Sequence, residues 1–248
     1  MILQRLATSI RKQDWFAVII ETLIVVMGVY LGIQLGNWNA ARANAEEYDL
    51  AKDRLRSEIV QNIAQLDELE PSLAETIARV RRAISVLKTC DDSPDNFRIV
   101  TEGLNELTGT DGVHMRRSAL TEMTSDQVLL AQQSLAERDR YRELGYYVDL
   151  AMNDGEDYED APQQTEPRDL PLVGVGELEA VTTSYYGIDF SGSRRRLELL
   201  APVSEACENR ELMNAFYLWE SNQAYIPVLY RHLRSQYDLT LNAMGGTP

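Results

Sequence analysis

The sequence predicts an all-α fold: an N-terminal transmembrane helix, then an extramembrane helical bundle with two long antiparallel helices. Three observations lead there. Trp15 to Leu35 is an apolar run that carries one charge, Glu21. Apolar residues then recur at steps of three and four from Leu55 to Leu87, the period of a helix with one buried stripe. The same spacing returns from Leu212 to Leu241. With 44% hydrophobic and 25% charged residues, the 248-residue chain can bury a core and is not broadly disordered.

The apolar run spans about 31 Å as a helix, close to the hydrocarbon thickness of a bilayer. Trp15 and Trp38 bracket it, as interfacial aromatics do. A cleaved signal peptide is the competing reading, because Ala41-Arg42-Ala43 and Ala43-Asn44-Ala45 have the small-x-small form. A signal core of about 7–15 residues is shorter than this run, which favours a retained anchor. Arg5, Arg11 and Lys12 precede the span; Arg42, Lys52 and Arg54 follow it. The first set is denser and undiluted by acids, so the N-terminus is expected in the cytoplasm. The expected order is a cytoplasmic head (1–14), a transmembrane helix (15–36) and a periplasmic helical domain (37–248), all on a bacterial inner membrane.

Gly28, Gly32 and Gly36 are four residues apart, and with Glu21 they share one helix face within about 80°. Small residues in such a stripe let helices approach closely in lipid, and an intramembrane charge tends to face protein or water. Glu21, Gly28, Gly32 and Gly36 are therefore the candidate helix–helix interface. The expected partners are the lipid bilayer and other transmembrane helices, in a homo-oligomer or a larger membrane complex.

Glu21, Gly28, Gln34 and Asn37-Trp38-Asn39 carry a resemblance. In this spacing the segment resembles a bacterial group of uncharacterised single-pass membrane proteins, described as a domain of unknown function. Gly32 and Gly36 depart from the Ala and Asn more usual there, and Ile20 replaces a usual Gly. A second similarity runs from Leu120-Thr121-Glu122 to Leu144, with Thr124-Ser125-Asp126 in place of the family's Ser-Gly turn. The resemblance implies an inner-membrane anchor with a helical body and implies no activity.

Beyond the span, one helix is expected from Ala40 to about Lys88, with Pro71 kinking or breaking it near Glu70. Short helices follow at 97–107, 118–123 and 126–133. Ser134-Leu135-Ala136-Glu137 is a capping box and starts a helix running to about Met152. Pro162, Pro167 and Pro171, among many acids, predict an acidic loop over 153–176. Its acids could collect Ca²⁺, but their spacing does not fit an EF-hand, so a solvated loop is favoured. Leu178 to Ser191 reads as extended or as a short helix. Arg194-Arg195-Arg196 is expected to pair with the acidic loop rather than with lipid head groups. The last helix runs from about Glu205 to Asn242, kinked at Pro227, with Gln223 as a polar member of its stripe. Antiparallel packing of the two long helices brings Cys90 and Cys207 together, and an oxidising compartment would let them form a disulfide.

The net charge of −15 excludes an electrostatic nucleic-acid binder. No GxSxG, P-loop, HExxH or CxxC motif occurs. His114 and His232 have no nucleophile beside them in sequence. No catalytic residue, metal or cofactor is expected. The function expected is that of a non-enzymatic structural or accessory membrane subunit. The alternatives are a sensor-like receptor, for which 14 cytoplasmic residues are a short output segment, and an ion-coupled subunit using Glu21.

Overall fold

The computed structural model describes residues 15–164, 166–185 and 188–245. The expected cytoplasmic head, with Arg5, Arg11 and Lys12, lies outside them. Helix α1 (Trp15–Leu87) is unbroken for 73 residues, about 110 Å. It is the one described helix long and apolar enough to cross a membrane. Its first part stands alone, with every side chain described from Val18 to Ala43 exposed. Its second part, from Tyr48 onward, forms the spine of the body and buries Leu55, Ile59, Leu66, Leu73 and Val80.

α1 runs through Pro71 without the break that is one of the two outcomes expected there. The proline sits on the exposed side, while Leu66 and Leu73 fix the flanking turns in the core. Ion pairs Asp67–Arg234 and Glu70–Arg231 hold the same stretch to the last helix. The ring's lost hydrogen bond is therefore spent towards solvent, where it leaves no buried carbonyl.

α2 (Pro94–Glu106) starts at Ser93, whose hydroxyl accepts from the Asn96 N–H at 3.1 Å. It folds back along α1 so closely that a Cβ on Gly103 would lie 2.4 Å from Ala83 Cβ. α3 (Ser118–Ser125) and α4 (Gln127–Gln132) are short. Glu58 of α1 receives the free start of α3, accepting from Ser118 Oγ, Ala119 N and Leu120 N at 2.8–3.0 Å. A buried carboxylate is tolerated there because it meets three donors at a helix N-terminus.

α5 (Leu135–Asp160) opens on the expected capping box, with both reciprocal bonds formed. It runs past Met152 to Asp160, so the expected acidic loop is corrected. Residues 153–160 are helical, and two 3₁₀ turns follow at Ala161–Gln164 and Pro167–Asp169. Gly155 lets the helix press onto Val113, where a Cβ would lie 2.7 Å from a Val113 methyl. Tyr158 stacks on Tyr225 with centroids 5.0 Å apart. This packed stripe carries the helix on to Asp160.

The described chain is mostly helical, as expected, and the all-α reading is corrected only by a two-stranded antiparallel sheet, β1 (Val173–Tyr185) with β2 (Ile188–Leu199). The ambiguous stretch 178–191 lies mostly in this hairpin. Its base is held by Asn105 of α2, whose amide donates to the Leu197 carbonyl and accepts from the Leu197 N–H, both at 2.8 Å. The arginine run belongs to β2. Arg195 donates to the Gly176 carbonyl at 3.1 Å, and Arg196 lies 3.7 Å from Glu179. Among the described residues no ion pair joins the run to the acids at 154–160, so the expected pairing is corrected too.

The long C-terminal helix is three segments: α6 (Val203–Ala206), α7 (Arg210–Gln223) and α8 (Ile226–Ala243). Pro227 falls in the first turn of α8, where its missing N–H has no helical acceptor to lose, so it begins a helix rather than kinking one. α7 and α8 still run antiparallel to α1. Arg81 meets Glu220, and Arg56 donates to the Met244 carbonyl at the other end.

Candidate functional site

Glu21, Gly28, Gly32 and Gly36 lie on one exposed face of α1. A Cβ built on any of the three glycines meets nothing within 4 Å, so no other part of the described chain packs there. The body occupies the other side. At about 100° per residue, Tyr48, Leu55 and Ile59 lie some 140–180° from Gly32, and the unbroken helix carries that angle from the apolar run into the body. Trp38 is 64% exposed just beyond the run. Trp15 begins α1, and its side chain lies outside the described ones.

Cys90 and Cys207 are joined as a disulfide, between the end of α1 and the end of α6. Asp92 reinforces that corner. Its carboxylate accepts from Val203 N at 2.7 Å and Ser204 Oγ at 2.6 Å. The Ser204 hydroxyl, followed by the backbone bonds, holds the carboxyl below the usual aspartate range.

A second polar constellation was missed from sequence. The irregular segment 108–117 crosses the middle of the bundle, and buried side chains satisfy its backbone. Trp219 Nε1 donates to the Gly109 carbonyl and Tyr230 Oη to the Gly112 carbonyl, both at 2.8 Å. Gln223 accepts from Asp111 N at 2.8 Å and donates to the Asp111 carbonyl at 3.1 Å. Asn62 brackets Arg116 in the same way, at 2.8 and 3.1 Å. The one sequence signal was Gln223, a polar residue inside an apolar stripe.

Beside this segment, Asp111 faces the Glu159–His114 pair, whose side chains meet at 2.9 Å. Burial, and then the charge of Glu159, raise the Asp111 carboxyl above its ordinary value, opposed by His114. An acid raised in this way favours folding more as pH falls through its folded-state value, because the folded chain then binds the extra proton. Above that value the cost of ionisation is fully present. Asp111→Asn is accordingly expected to raise the melting temperature at neutral pH, with the gain shrinking on acidification. A pH series of thermal melts on both proteins checks this; a loss of stability at neutral pH would contradict it.

A polar cleft of about 570 Å³ opens nearby between the hairpin and the 3₁₀ turns, lined in part by Asn105, Thr108, Glu159, Arg168 and Arg194. Its cations and carboxylates are mixed. Among the described residues no group of three or more His, Cys, Asp or Glu is placed to hold a metal ion. His232 stands edge-on to Tyr147, with centroids 4.8 Å apart. Comparison with protein-family models, with curated proteins and with solved structures finds no match to this chain.

Proposed function

We propose that the chain is a single-pass accessory subunit of a bacterial inner membrane, with its N-terminus cytoplasmic, its helical body periplasmic and no catalytic role of its own. One observation carries the reading. The apolar first part of α1 is wholly exposed within the chain yet rigidly continuous with a packed body. In water it would present an apolar surface far larger than isolated proteins expose, and lipid is the medium that covers it. The resemblance at Glu21, Gly28, Gln34 and Asn37-Trp38-Asn39 agrees. The glycine face then meets another transmembrane helix, on the side the body leaves open.

Gly32→Leu adds bulk where two backbones touch, whereas Ile33→Leu, about 100° around the helix, changes a lipid-facing side chain. Membrane helix contacts are typically worth about 1–2 kcal/mol, so Gly32→Leu should weaken association roughly tenfold. Co-purification in mild detergent, or crosslinking in membranes, measures this. Equal association in the two variants would overturn the glycine interface. Glu21→Gln keeps the packing and removes a titratable proton. An accessory subunit tolerates it, whereas an ion-coupled subunit loses function.

A further inference from the structure

Between the apolar run and the body, α1 continues as a lone stalk over 36–47, about 18 Å long. Beyond it the outward face of α1 stays exposed as far as Val60. Numbering that face as a heptad puts Ala43, Leu50 and Ser57 at a, and Glu46, Asp53 and Val60 at d. All six are exposed, Leu50 to 60% and Val60 to 51%. The body takes the other positions, since the buried Tyr48, Ala51, Leu55, Ile59, Asn62 and Leu66 are all b, c or f. Along the stalk a second helix can therefore lie on the a/d face without meeting the body, whereas further on Arg54 and Gln61 at e already bond Glu122 and Arg116.

We infer that this face is a parallel seam with a second copy of the same chain, running from the stalk along the first turns of the body. Charge complementarity selects a copy. Two identical anchors hold their chains at the same depth, so each residue meets its own counterpart. In that register Arg42 at g faces Glu47 at e of the other copy. Asp49 at g faces its Arg54 at e, but Arg54 is already held by Glu122 of α3 at 2.6 Å, so the Arg42–Glu47 pair on the stalk carries the complementarity. Glu47 and Asp49 have no ion-pair partner of their own among the described residues. Arg42 also bonds Glu46 of its own helix at 2.9 Å, which partly neutralises an acid at a d position. Glu46 and Asp53 keep the seam weak, so it forms because the membrane tether raises the local concentration of copies. The parallel register rests on the membrane reading above; the facing charges are independent of the glycine stripe.

Cysteine crosslinking of the full chain in native membranes tests the seam. Ala43 and Ala41 are neighbours on the exposed stalk, but they point to opposite sides of it. On oxidation, Ala43→Cys should give several-fold more covalent dimer than Ala41→Cys. Arg42→Glu in the Ala43→Cys background should abolish most of that dimer, and adding Glu47→Arg should restore it. Equal crosslinking at the two alanines, or no rescue by the charge swap, overturns the seam. If Ala43→Cys stays monomeric while Gly32→Leu still loses its partner, the seam fails and the subunit reading stands. If Ala43→Cys crosslinks while Gly32→Leu changes nothing, the glycine interface fails and the seam stands.

Discussion

Removing the Cys90–Cys207 bridge should lower the melting temperature by roughly 10 °C. The two cysteines are 117 residues apart, so the bridge closes a loop containing almost half the chain. In the chain-entropy account a loop of that size restricts the unfolded state by about 4–5 kcal/mol. Part of the native corner survives without it, because Asp92 still holds Val203 and Ser204. The expected net loss is therefore about 3–5 kcal/mol. The paired variant Cys90→Ala/Cys207→Ala should melt alongside the reduced wild type, and both well below the oxidised protein. Coincident melts of oxidised and reduced wild type would refute this. Alkylation of protein protected from reduction also reports the compartment, since a cytosolic body would keep two free thiols.

The long-range order of the bundle was legible because it rests on periodicity. The three-and-four steps from Leu55 to Leu87 are the face that α1 buries, and those from Leu212 to Leu241 are the face of α7 and α8 that meets it. Antiparallel packing of those two faces is what sets Cys90 beside Cys207. Local punctuation was legible where a side chain bonds its own backbone, as at Ser134–Glu137.

What failed to read was decided by tertiary contact. Pro71 should interrupt a helix, but here it faces outward between turns fixed by Leu66 and Leu73. The acids after Asn153 suggested a loop, yet Gly155 and Tyr158 supply a packed stripe that a charge count does not register. The hairpin was ambiguous because only its base is buried, at Leu197 and Leu199, so no long alternation of apolar and polar residues marks it. The glycine face was legible as a pattern. Its direction, away from the body, depends on α1 being unbroken from Trp15 to Leu87.

Gln223→Leu is expected to destabilise the body by about 3–5 kcal/mol, although it replaces a polar core residue with an apolar one of similar size. Gln223 is completely buried, and its amide makes three bonds to main chain. It accepts from Asp111 N and donates to the carbonyls of Asp111 and Tyr158. Leucine leaves one N–H and two carbonyls, part-buried, without these partners, and each group left unsatisfied costs about 1–3 kcal/mol, offset in part by the apolar surface gained. Gln223→Glu should be worse at neutral pH. Its carboxylate can still accept from Asp111 N, but it offers neither carbonyl a donor and brings a charge close to Asp111. Gln65→Ala is the control. Gln65 also donates to this segment, at the His114 carbonyl, but at an exposed position where water replaces it. Denaturant unfolding of the three variants should rank them Glu below Leu below Ala in stability, with Ala within about 1 kcal/mol of wild type. A Gln223→Leu protein as stable as wild type would mean that segment 108–117 finds its hydrogen bonds elsewhere, and that the clamp is not what holds it across the bundle.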